Sequence, residues 1–310
     1  MKPSKITIIG AGNVGASLGQ RLIEKNFADV VLLDIVEGLP QGKALDILES
    51  GPVIGFTRRI TGSNKYEDTA GSDVVVITSG ATRKPGMTRE DLLKINTGIV
   101  SGVVKDVARH SPDCAIIVVV NPVDAMTWVT YKASGFPRNR VLGLSGVLDG
   151  ARLAAFIALE CNVPVTDVSC YVLGEHGTNM VVFPRLAKVK GKSITELLSK
   201  EAVERLVQRA VNGGAEIVGL LKTASAFYAP SAAVARMVTA IMQDKKEVLP
   251  CASVLDGEYG LKDVVIGVPV RLGRGGIKEV VDFKLSAEEL KILAASAEAV
   301  KKQIESIPSL

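Results

Sequence analysis

Three glycines close to the start of the chain have the spacing of a phosphate-binding turn. Gly10, Gly12 and Gly15 form the pattern G-x-G-x-x-G directly after an apolar, β-branched run at residues 5–9. Glycine lets the backbone turn sharply, approach a diphosphate closely and pack against the next element. A helix beginning near Asn13 would direct its free N–H groups and the positive end of its dipole at the phosphates. The pattern therefore predicts a strand, a tight turn and a helix that bind a dinucleotide, with a ligand-free glycine turn as the alternative.

Asp34 indicates which dinucleotide this turn would bind. It ends a second apolar run, residues 30–33, at the distance from the glycines where an acid accepts hydrogen bonds from the ribose hydroxyls of adenosine. A carboxylate in this position would repel the 2′-phosphate of NADP. The sequence therefore predicts NAD as the cofactor.

The chain contains two histidines, and one of them has the setting of an acid–base group. His176 lies in LGEHGTNM, between glycines and just after a strand-like run, where an imidazole could exchange a proton with a ligand. A turn histidine with purely structural hydrogen bonds is the alternative. His110, in RHSPD, is predicted to be a solvated histidine at the end of a helix.

One aspartate and three arginines complete the set of candidate site residues. Asp149 and Arg152 form D-x-x-R at a predicted helix start, which is also the pattern of an N-cap with an i, i+3 ion pair. Arg83 and Arg89 flank the loop RKPGMTR, which is typical of a lid over anions or of a solvated basic loop. Beside a dinucleotide, the set suits hydride exchange with a small carboxylic acid. An arginine can grip a carboxylate, the histidine can exchange the hydroxyl proton, and the aspartate can select its tautomer.

The order of the elements predicts how these residues meet. Strand-like and helix-like runs alternate as far as about residue 145, which is typical of α/β proteins with a Rossmann doubly wound parallel sheet. In such a sheet, ligands bind outside the carboxyl ends of the strands. Gly10, Asp34, Gly80 and Asn121 each follow a predicted strand, so we expect them to converge on one crevice.

The second half of the chain is organised differently. Its strands and helices do not alternate regularly, which indicates a mixed α+β substrate domain. We therefore predict an NAD-binding domain at residues 1–145 and a substrate-binding, catalytic domain at residues 146–310.

Two helices have clear local signals. The pattern at residues 38–50 predicts a helix with Leu39, Leu45 and Leu48 on its apolar face. The segment KLSAEEL predicts the start of a C-terminal helix, with Ser286 as N-cap and a glutamate three residues later.

Composition and charge exclude several classes of function. The chain has 310 residues, 47% of them hydrophobic, and a net charge of +4, so it is globular and only mildly basic. It has no lysine–arginine block with interleaved aromatics, and nucleic acid is not expected as a partner. Neither a membrane span nor a signal peptide is expected. The four cysteines form no C-x-x-C pair and are expected to be buried, reduced thiols, which indicates a cytoplasmic protein.

Over essentially its whole length the chain resembles the lactate/malate dehydrogenase family. It is most similar to the prokaryotic malate dehydrogenases whose sequences lie close to lactate dehydrogenases. Its turn EHGTNM carries a glutamate before the histidine, as lactate dehydrogenases do. In chain order, the stretches that carry the resemblance are IGAGNVG, VVLLDIVEGLPQGKALDI, ITSGATRKPGMTREDLL, VVNPVDAMTW, GVLDGAR, LGEHG and LKTASAFYAPSAA.

The resemblance implies a role for each candidate residue. His176 corresponds to the catalytic histidine, Asp149 to its carboxylate partner, and Arg152 to the arginine that binds the C1 carboxylate of the substrate. Arg89 corresponds to the lid arginine that polarises the carbonyl. Arg83 stands where malate dehydrogenases place an arginine for the second carboxylate and lactate dehydrogenases place a glutamine.

Further contacts with substrate and cofactor are implied in the same way. Asn121 corresponds to the asparagine near the carbonyl and the nicotinamide, and Ser225 to a small hydroxyl residue beside the substrate. Gly80 and Asn96 are assigned, with Asn121, to the cofactor site. No residue is predicted to bind a metal.

The implied activity is that of an NAD-dependent malate dehydrogenase, the reversible oxidation of (S)-malate to oxaloacetate by hydride transfer with His/Asp acid–base catalysis. Such an enzyme would serve the tricarboxylic acid cycle and is expected to form a homodimer or homotetramer. A lactate or other 2-hydroxyacid dehydrogenase is the alternative within the class, and an inactive NAD-binding sensor is the alternative of another class. A nucleotide-sugar epimerase lacks support, because no tyrosine is followed by a lysine four residues later.

Overall fold

The structure is a computed structural model that describes residues 4–82 and 86–307. Arg83, one of the predicted substrate-binding residues, lies outside the described residues. Among the helices that are described, none combines the length and the apolar character that a membrane span requires.

Strands and helices alternate through the first half, as the sequence pattern predicts. The strands are short and almost wholly buried, while the helices cover the two faces of the sheet. The elements are β1 (Lys5–Ile9), α1 (Asn13–Glu24), β2 (Asp29–Leu33), α2 (Leu39–Glu49), α3 (Gly51–Ile54), β3 (Ile60–Ser63), β4 (Val74–Ile77), α4 (Arg89–His110), β5 (Ala115–Val118), α5 (Val123–Ser134) and β6 (Val141–Gly143).

These six strands form a parallel sheet in the order β3-β2-β1-β4-β5-β6. Consecutive side chains point to opposite faces, so Ile8 belongs to the apolar core on one side and Ile9 to the core on the other. Burial on both faces explains why the central strands β4 and β5 are apolar runs without polar alternation, whereas the edge strand β3 is partly exposed. The predicted doubly wound parallel sheet is confirmed.

The second half mixes longer strands with helices. Its elements are α6 (Gly146–Cys161), β7 (Val168–Ser169), β8 (Val172–Gly174), β9 (Met180–Val182), β10 (Lys188–Val189), β11 (Lys192–Ser193), α7 (Ile194–Leu197), α8 (Lys200–Leu221), α9 (Tyr228–Met242), β12 (Glu247–Asp256), β13 (Lys262–Gly273), β14 (Gly276–Val280) and α10 (Ala287–Glu305).

Antiparallel strands of this half extend the sheet of the first half. Strand β12 pairs with β6, with Ala252 opposite Gly143, and the order continues as β6-β12-β13-β8-β9, with β14 on the edge of β13. Strands β7, β10 and β11 form a separate small sheet. The mixed α+β character is confirmed, while the sequence pattern did not show that one sheet would run through both halves. Because β8 leads into the turn GEHG, this pairing carries His176 toward the parallel strands.

The start of the C-terminal helix is as predicted. The Ser286 hydroxyl accepts the Glu289 N–H, and the Glu289 carboxylate accepts the Ser286 N–H, a capping box that begins α10. A second capping box, between Thr88 and Asp91, begins α4 directly after the predicted lid loop. Local side-chain hydrogen bonds therefore decide where both helices begin.

Helix α2 forms where it is predicted, but its predicted apolar face is wrong. Leu45 and Leu48 are exposed, and the buried residues of this helix are Pro40 and Ala44. Burial here follows the close approach of α2 to β3, where a side chain on Gly62 would collide with the carbonyl of Pro40. The leucines of α2 lack a buried environment in the single chain.

Candidate active site

The three glycines of the turn between β1 and α1 have different roles. The fold requires glycine at two of these positions but not at the third. Gly10 has φ +105°, a conformation that L side chains rarely adopt. A Cβ on Gly15 would collide with the carbonyl oxygen of Gly10, so close packing of α1 on the turn requires glycine there. Gly12 is exposed, and a Cβ on it would meet no atom of the described residues within 4 Å. The space beside Gly12 is therefore available to a ligand.

The surroundings of Gly12 suit an anionic dinucleotide. Gly12 is the N-cap of α1 and provides no capping side chain, so the first N–H groups of the helix, from Asn13 onward, face outward. One oxygen of Asp34 accepts the Ala11 N–H at 2.7 Å and the other accepts the Val36 N–H at 3.0 Å. The carboxylate is thus held against the glycine turn with lone pairs left for two hydroxyl groups. These residues fit NAD.

The loops after β4 and β5 are joined by the side chain of Asn96, which is fully buried on α4. Its amide oxygen accepts the Ala81 N–H at 2.7 Å, and its amide nitrogen donates to the Asn121 carbonyl at 2.7 Å. Gly80 is close by, and a Cβ on it would collide with Val120. Asn121 itself is exposed. The structure thus brings Gly80, Asn96 and Asn121 together at the carboxyl ends of the parallel strands.

His176 and Asp149 form the central pair of the site. The Nδ1 atom of His176 lies 2.7 Å from Oδ2 of Asp149, a residue of α6 that is 1% exposed. A carboxylate can only accept, so Nδ1 carries its hydrogen toward Asp149, which leaves Nε2 as the nitrogen that exchanges a proton. The second oxygen of Asp149 accepts a hydrogen bond from Arg152 at 3.2 Å. One carboxylate therefore orients both the histidine and the arginine.

The pKa of His176 reflects opposing effects. Burial of the ring disfavours the imidazolium and lowers the pKa, but the Asp149 charge and hydrogen bond, with the Asp124 charge, raise it by more. The pKa of His176 therefore lies above its ordinary value. The protonated form persists to higher pH than it would in water.

Arg152 has the features of an anion-binding side chain. Its Nε atom is buried and has no hydrogen-bond partner among the described residues. Gly213 and Gly214 of α8 lie against the guanidinium stem and head, where a Cβ would come within 3.2 Å and 3.6 Å. An unsatisfied, buried donor on a charged group indicates that a ligand completes this site.

Other predicted site residues lie at the surface. Arg89 is the first residue of α4, and Ser225 lies between α8 and α9; both are exposed. Within the described residues no hydrogen bond joins either side chain to His176. The other predicted lid residue, Arg83, lies outside the described residues.

Three residues that hold the His176 turn through hydrogen bonds were not predicted from the sequence. Asp124 of α5 accepts the backbone N–H of His176 at 2.8 Å. Ser296 of α10 accepts the Glu175 N–H at 2.8 Å, and Gln303 of the same helix donates to the Glu175 carboxylate at 2.8 Å. Asp124 had a recognisable signal, an acid just after NP at a predicted strand end. The α10 residues had none, because only the tertiary fold brings that helix to the turn.

Comparison with known proteins places these features in a family. Residues 4–143 match the model of the lactate/malate dehydrogenase NAD binding domain, and residues 146–309 match that of the lactate/malate dehydrogenase alpha/beta C-terminal domain. The chain belongs to the lactate/malate dehydrogenase family. Its first half is thus an NAD-binding region, and the predicted family, fold class and cofactor are confirmed.

Relatives within the lactate/malate dehydrogenase family cover nearly the whole chain. The chain is 60% identical to a malate dehydrogenase of Dehalococcoides mccartyi, over 98% of this chain and 99% of that protein. It is 50% identical to one of Roseiflexus sp., over 100% of both. Among solved structures, the malate dehydrogenase of Salinibacter ruber is 48% identical with a TM-score of 0.93, covering 97% of both chains. A Cryptosporidium parvum lactate dehydrogenase, complexed with lactic acid and NAD, is 36% identical with a TM-score of 0.94, covering 98% of both.

The contrast between Gly12 and Gly15 predicts different consequences for the same substitution. Gly15→Ala should lower the free energy of unfolding by about 1–3 kcal/mol, because its methyl group collides with the backbone. Gly12→Ala should leave stability within about 0.5 kcal/mol, yet weaken NADH binding roughly tenfold or more, since its methyl group enters the diphosphate space. Denaturant unfolding and NADH fluorescence titration measure the two effects. A Gly12→Ala protein that binds NADH like the wild type would show that this glycine does not face the cofactor.

Proposed function

We infer that this chain is an NAD-dependent malate dehydrogenase, which interconverts (S)-malate and oxaloacetate. The observation that carries this function is the buried Asp149 carboxylate, which binds the ring of His176 with one oxygen and Arg152 with the other. The malate dehydrogenase activity implied by the sequence is confirmed by relatives at 50–60% identity over the full chain. The same relatives do not favour the lactate dehydrogenase alternative.

The residues of the chain divide the chemistry among them. Bound NADH would supply the hydride for C2 of oxaloacetate. His176 donates its Nε2 proton to the oxygen of the same carbon, and Asp149 stabilises the imidazolium before that step and keeps Nδ1 protonated after it. Arg152 binds the C1 carboxylate through the donors that the fold leaves unsatisfied. Arg89, on closure of the lid, stabilises the charge that develops on the carbonyl oxygen.

The raised pKa of His176 suits the reduction of oxaloacetate near neutral pH. Reduction requires the protonated imidazole, so its rate falls as pH rises through this pKa. Oxidation of malate requires the neutral imidazole, so its rate rises over the same interval.

The cofactor site is assigned to residues at the carboxyl ends of the parallel strands. Gly10 and Gly15 shape the turn, Gly12 and Asn13 face the diphosphate, and Asp34 accepts from the adenosine ribose. The position of the Asp34 carboxylate against the turn supports NAD over NADP.

The nicotinamide end of the site is assigned to the loops after β4 and β5. Gly80 and Asn121 line this end, and Ser225 approaches the substrate from the other half. Asn96 acts by holding the two loops together, which is supported by the use of its amide in protein hydrogen bonds.

We place the boundary between the NAD-binding domain, residues 1–145, and the substrate-binding domain, residues 146–310, at the start of α6. The end of the parallel strand order at β6 supports this division. A cytoplasmic location is supported by the four cysteines, all of which are free thiols. Interconversion of malate and oxaloacetate would place the enzyme in the tricarboxylic acid cycle.

We also propose that the enzyme is a homodimer or homotetramer, with no nucleic-acid or membrane partner. Support comes from the exposed apolar side chains on and around α2 and α3. Ile35 is 94% exposed and Val53 is 85% exposed, and Leu45 and Leu48 in the same stretch of the chain are also exposed. Several exposed large aliphatic side chains within one short stretch of the chain, which we call the exposed apolar cluster, are typical of a face that a second copy covers.

The activity is tested by NADH oxidation at 340 nm with oxaloacetate, pyruvate and longer 2-oxoacids, repeated with NADPH. We expect oxaloacetate with NADH to give the highest kcat/KM. The control is His176→Asn, which should bind NADH normally but lose turnover by about 10²–10⁴-fold, the usual contribution of acid–base catalysis. Wild-type protein that binds NADH but reduces none of the 2-oxoacids would support the NAD-binding sensor instead.

The choice between substrates depends on Arg83. If pyruvate were enclosed in the site, the Arg83 guanidinium would face the methyl group of pyruvate. An unpaired buried charge of this kind costs roughly 2–5 kcal/mol. We expect Arg83→Gln to lower kcat/KM for oxaloacetate at least about tenfold and to raise it for pyruvate. Arg89→Gln is the matched control and should slow both substrates, since they share the carbonyl. An unchanged ratio in Arg83→Gln would mean that another residue recognises the distal carboxylate.

The assembly is tested by introducing charge into the exposed apolar cluster. Leu45→Glu combined with Val53→Glu should shift the protein toward monomer in analytical ultracentrifugation, because buried carboxylates without partners disfavour association. Leu159→Glu is the control, since Leu159 is 72% exposed on α6, in the other half of the chain. Dissociation by the control alone would place the interface elsewhere.

A further inference from the structure

Asp124 is a buried carboxylate at the active site that the proposed reaction does not yet use. It lies in the first turn of α5, is 2% exposed, and accepts the backbone N–H of His176 with Oδ2 at 2.8 Å. Its other oxygen, Oδ1, is buried and has no hydrogen-bond partner among the described residues. Burial raises the pKa of Asp124 to about 7, although the bond to His176 opposes that rise. A neutral acceptor would satisfy the same N–H without a buried charge.

The charges around His176 explain why a carboxylate stands here. Asp149 and Arg152 come from α6, Asp124 comes from α5, and Glu175 precedes the histidine in its turn. Asp149 shares its charge with Arg152, and the guanidinium lowers the pKa of His176. Glu175 is already bound by Asn179 and Gln303. In its ionised form, which predominates above its raised pKa of about 7, Asp124 is therefore the carboxylate whose charge the described residues leave to the imidazolium.

The position of Asp124 also joins the two halves of the chain at the reacting group. Helix α5 follows β5 and the Asn121 loop of the NAD-binding half, whereas the ring of His176 is held by α6. The histidine is thus fixed at two points, its main chain by one half and its ring by the other. The hydrogen bond to Asp149 alone would still allow the ring to rotate about that bond. A second fixed point, on the main chain, restricts the direction of Nε2 further.

We propose that Asp124 is a positioning residue for the dehydrogenase reaction, which holds the main chain of His176 from the NAD-binding half and supplies the second negative charge that favours the protonated imidazole beside Arg152. This proposal rests on the proposed function, because it assigns Asp124 a role in a reaction in which His176 transfers the proton. Asp149 remains the partner of the ring, and Asp124 acts on the proton of His176 through charge and through the backbone.

The test separates charge from position. Asp124→Asn keeps an oxygen for the His176 N–H and removes the charge, whereas Asp124→Ala removes both. Asp113→Asn, at an exposed carboxylate before β5, makes the same change in net charge away from the site. The chain has only two histidines, so imidazole NMR signals can be assigned with a His110→Gln variant, and the pKa of His176 can be measured without cofactor or substrate.

Asp124→Asn should lower the pKa of His176 by about one unit relative to Asp113→Asn, as expected for loss of a nearby opposite charge. The pH at which kcat/KM for oxaloacetate reduction begins to fall should decrease by the same amount. Asp124→Ala should show this shift and also lose kcat at its optimum pH by at least about tenfold, because the His176 turn is released. If Asp124→Asn does not fold, Asp124→Ser, which also offers an oxygen acceptor, takes its place.

Two results would overturn the proposal. An unchanged His176 pKa in both Asp124→Asn and Asp124→Ala would remove the electrostatic role, and wild-type kcat in Asp124→Ala would remove the positioning role. Failure of the proposed function is distinguishable, because wild-type protein would then lack oxaloacetate reduction while the NMR titration still reports on Asp124.

Discussion

The pairing of β6 with β12 is the constraint on which the active site depends. It converts a parallel sheet, whose carboxyl edge carries the proposed cofactor site, into a continuous sheet whose antiparallel part carries the turn with His176. The register cannot slip easily, because a side chain on Gly143 would collide with Thr127 and come within 3.1 Å of the Ala252 Cβ. A slip of one residue would also exchange the two faces of the strand. The distance between the cofactor edge and the histidine is therefore determined by backbone hydrogen bonds rather than by flexible loops.

Within that frame, the active site is a small set of buried charges that depend on one another. Asp149 is almost fully buried and binds Arg152, which is cationic, and His176, which is cationic when protonated. Removing one partner of a buried ion pair typically costs about 3–5 kcal/mol. Such a group is stable only when the surrounding elements place all of its partners at once. Four helices build this set of contacts. Helix α6 provides Asp149 and Arg152, and the glycines of α8 lie beside Arg152. Asp124 of α5 holds the main chain of His176, and Ser296 and Gln303 of α10 hold Glu175.

The residues of the site differ in their exposure and in their hydrogen bonds to the rest of the protein. The glycine turn, the Asp34 carboxylate and the His176 cluster are connected to the core by short hydrogen bonds. Arg89 and Ser225, by contrast, are exposed. The proposed closure of the enzyme over its substrate would exclude water from this site, and electrostatic interactions within it would strengthen as water leaves.

The features that the sequence alone determined are those that depend on interactions between residues close together in the chain. The glycine turn, the alternation of strands and helices in the first half and the Ser286 cap depend on neighbours close in the chain, and local pattern predicted them. The resemblance to a known family extended this to His176, Asp149 and Arg152, which local sequence left open between functional and structural interpretations. The tertiary structure alone decided that one sheet crosses both halves, that Asp124 and α10 hold the His176 turn, and that Leu45 and Leu48 lie outward. These features depend on contacts between residues far apart in sequence, and no periodicity or spacing records which distant element will cover a given face.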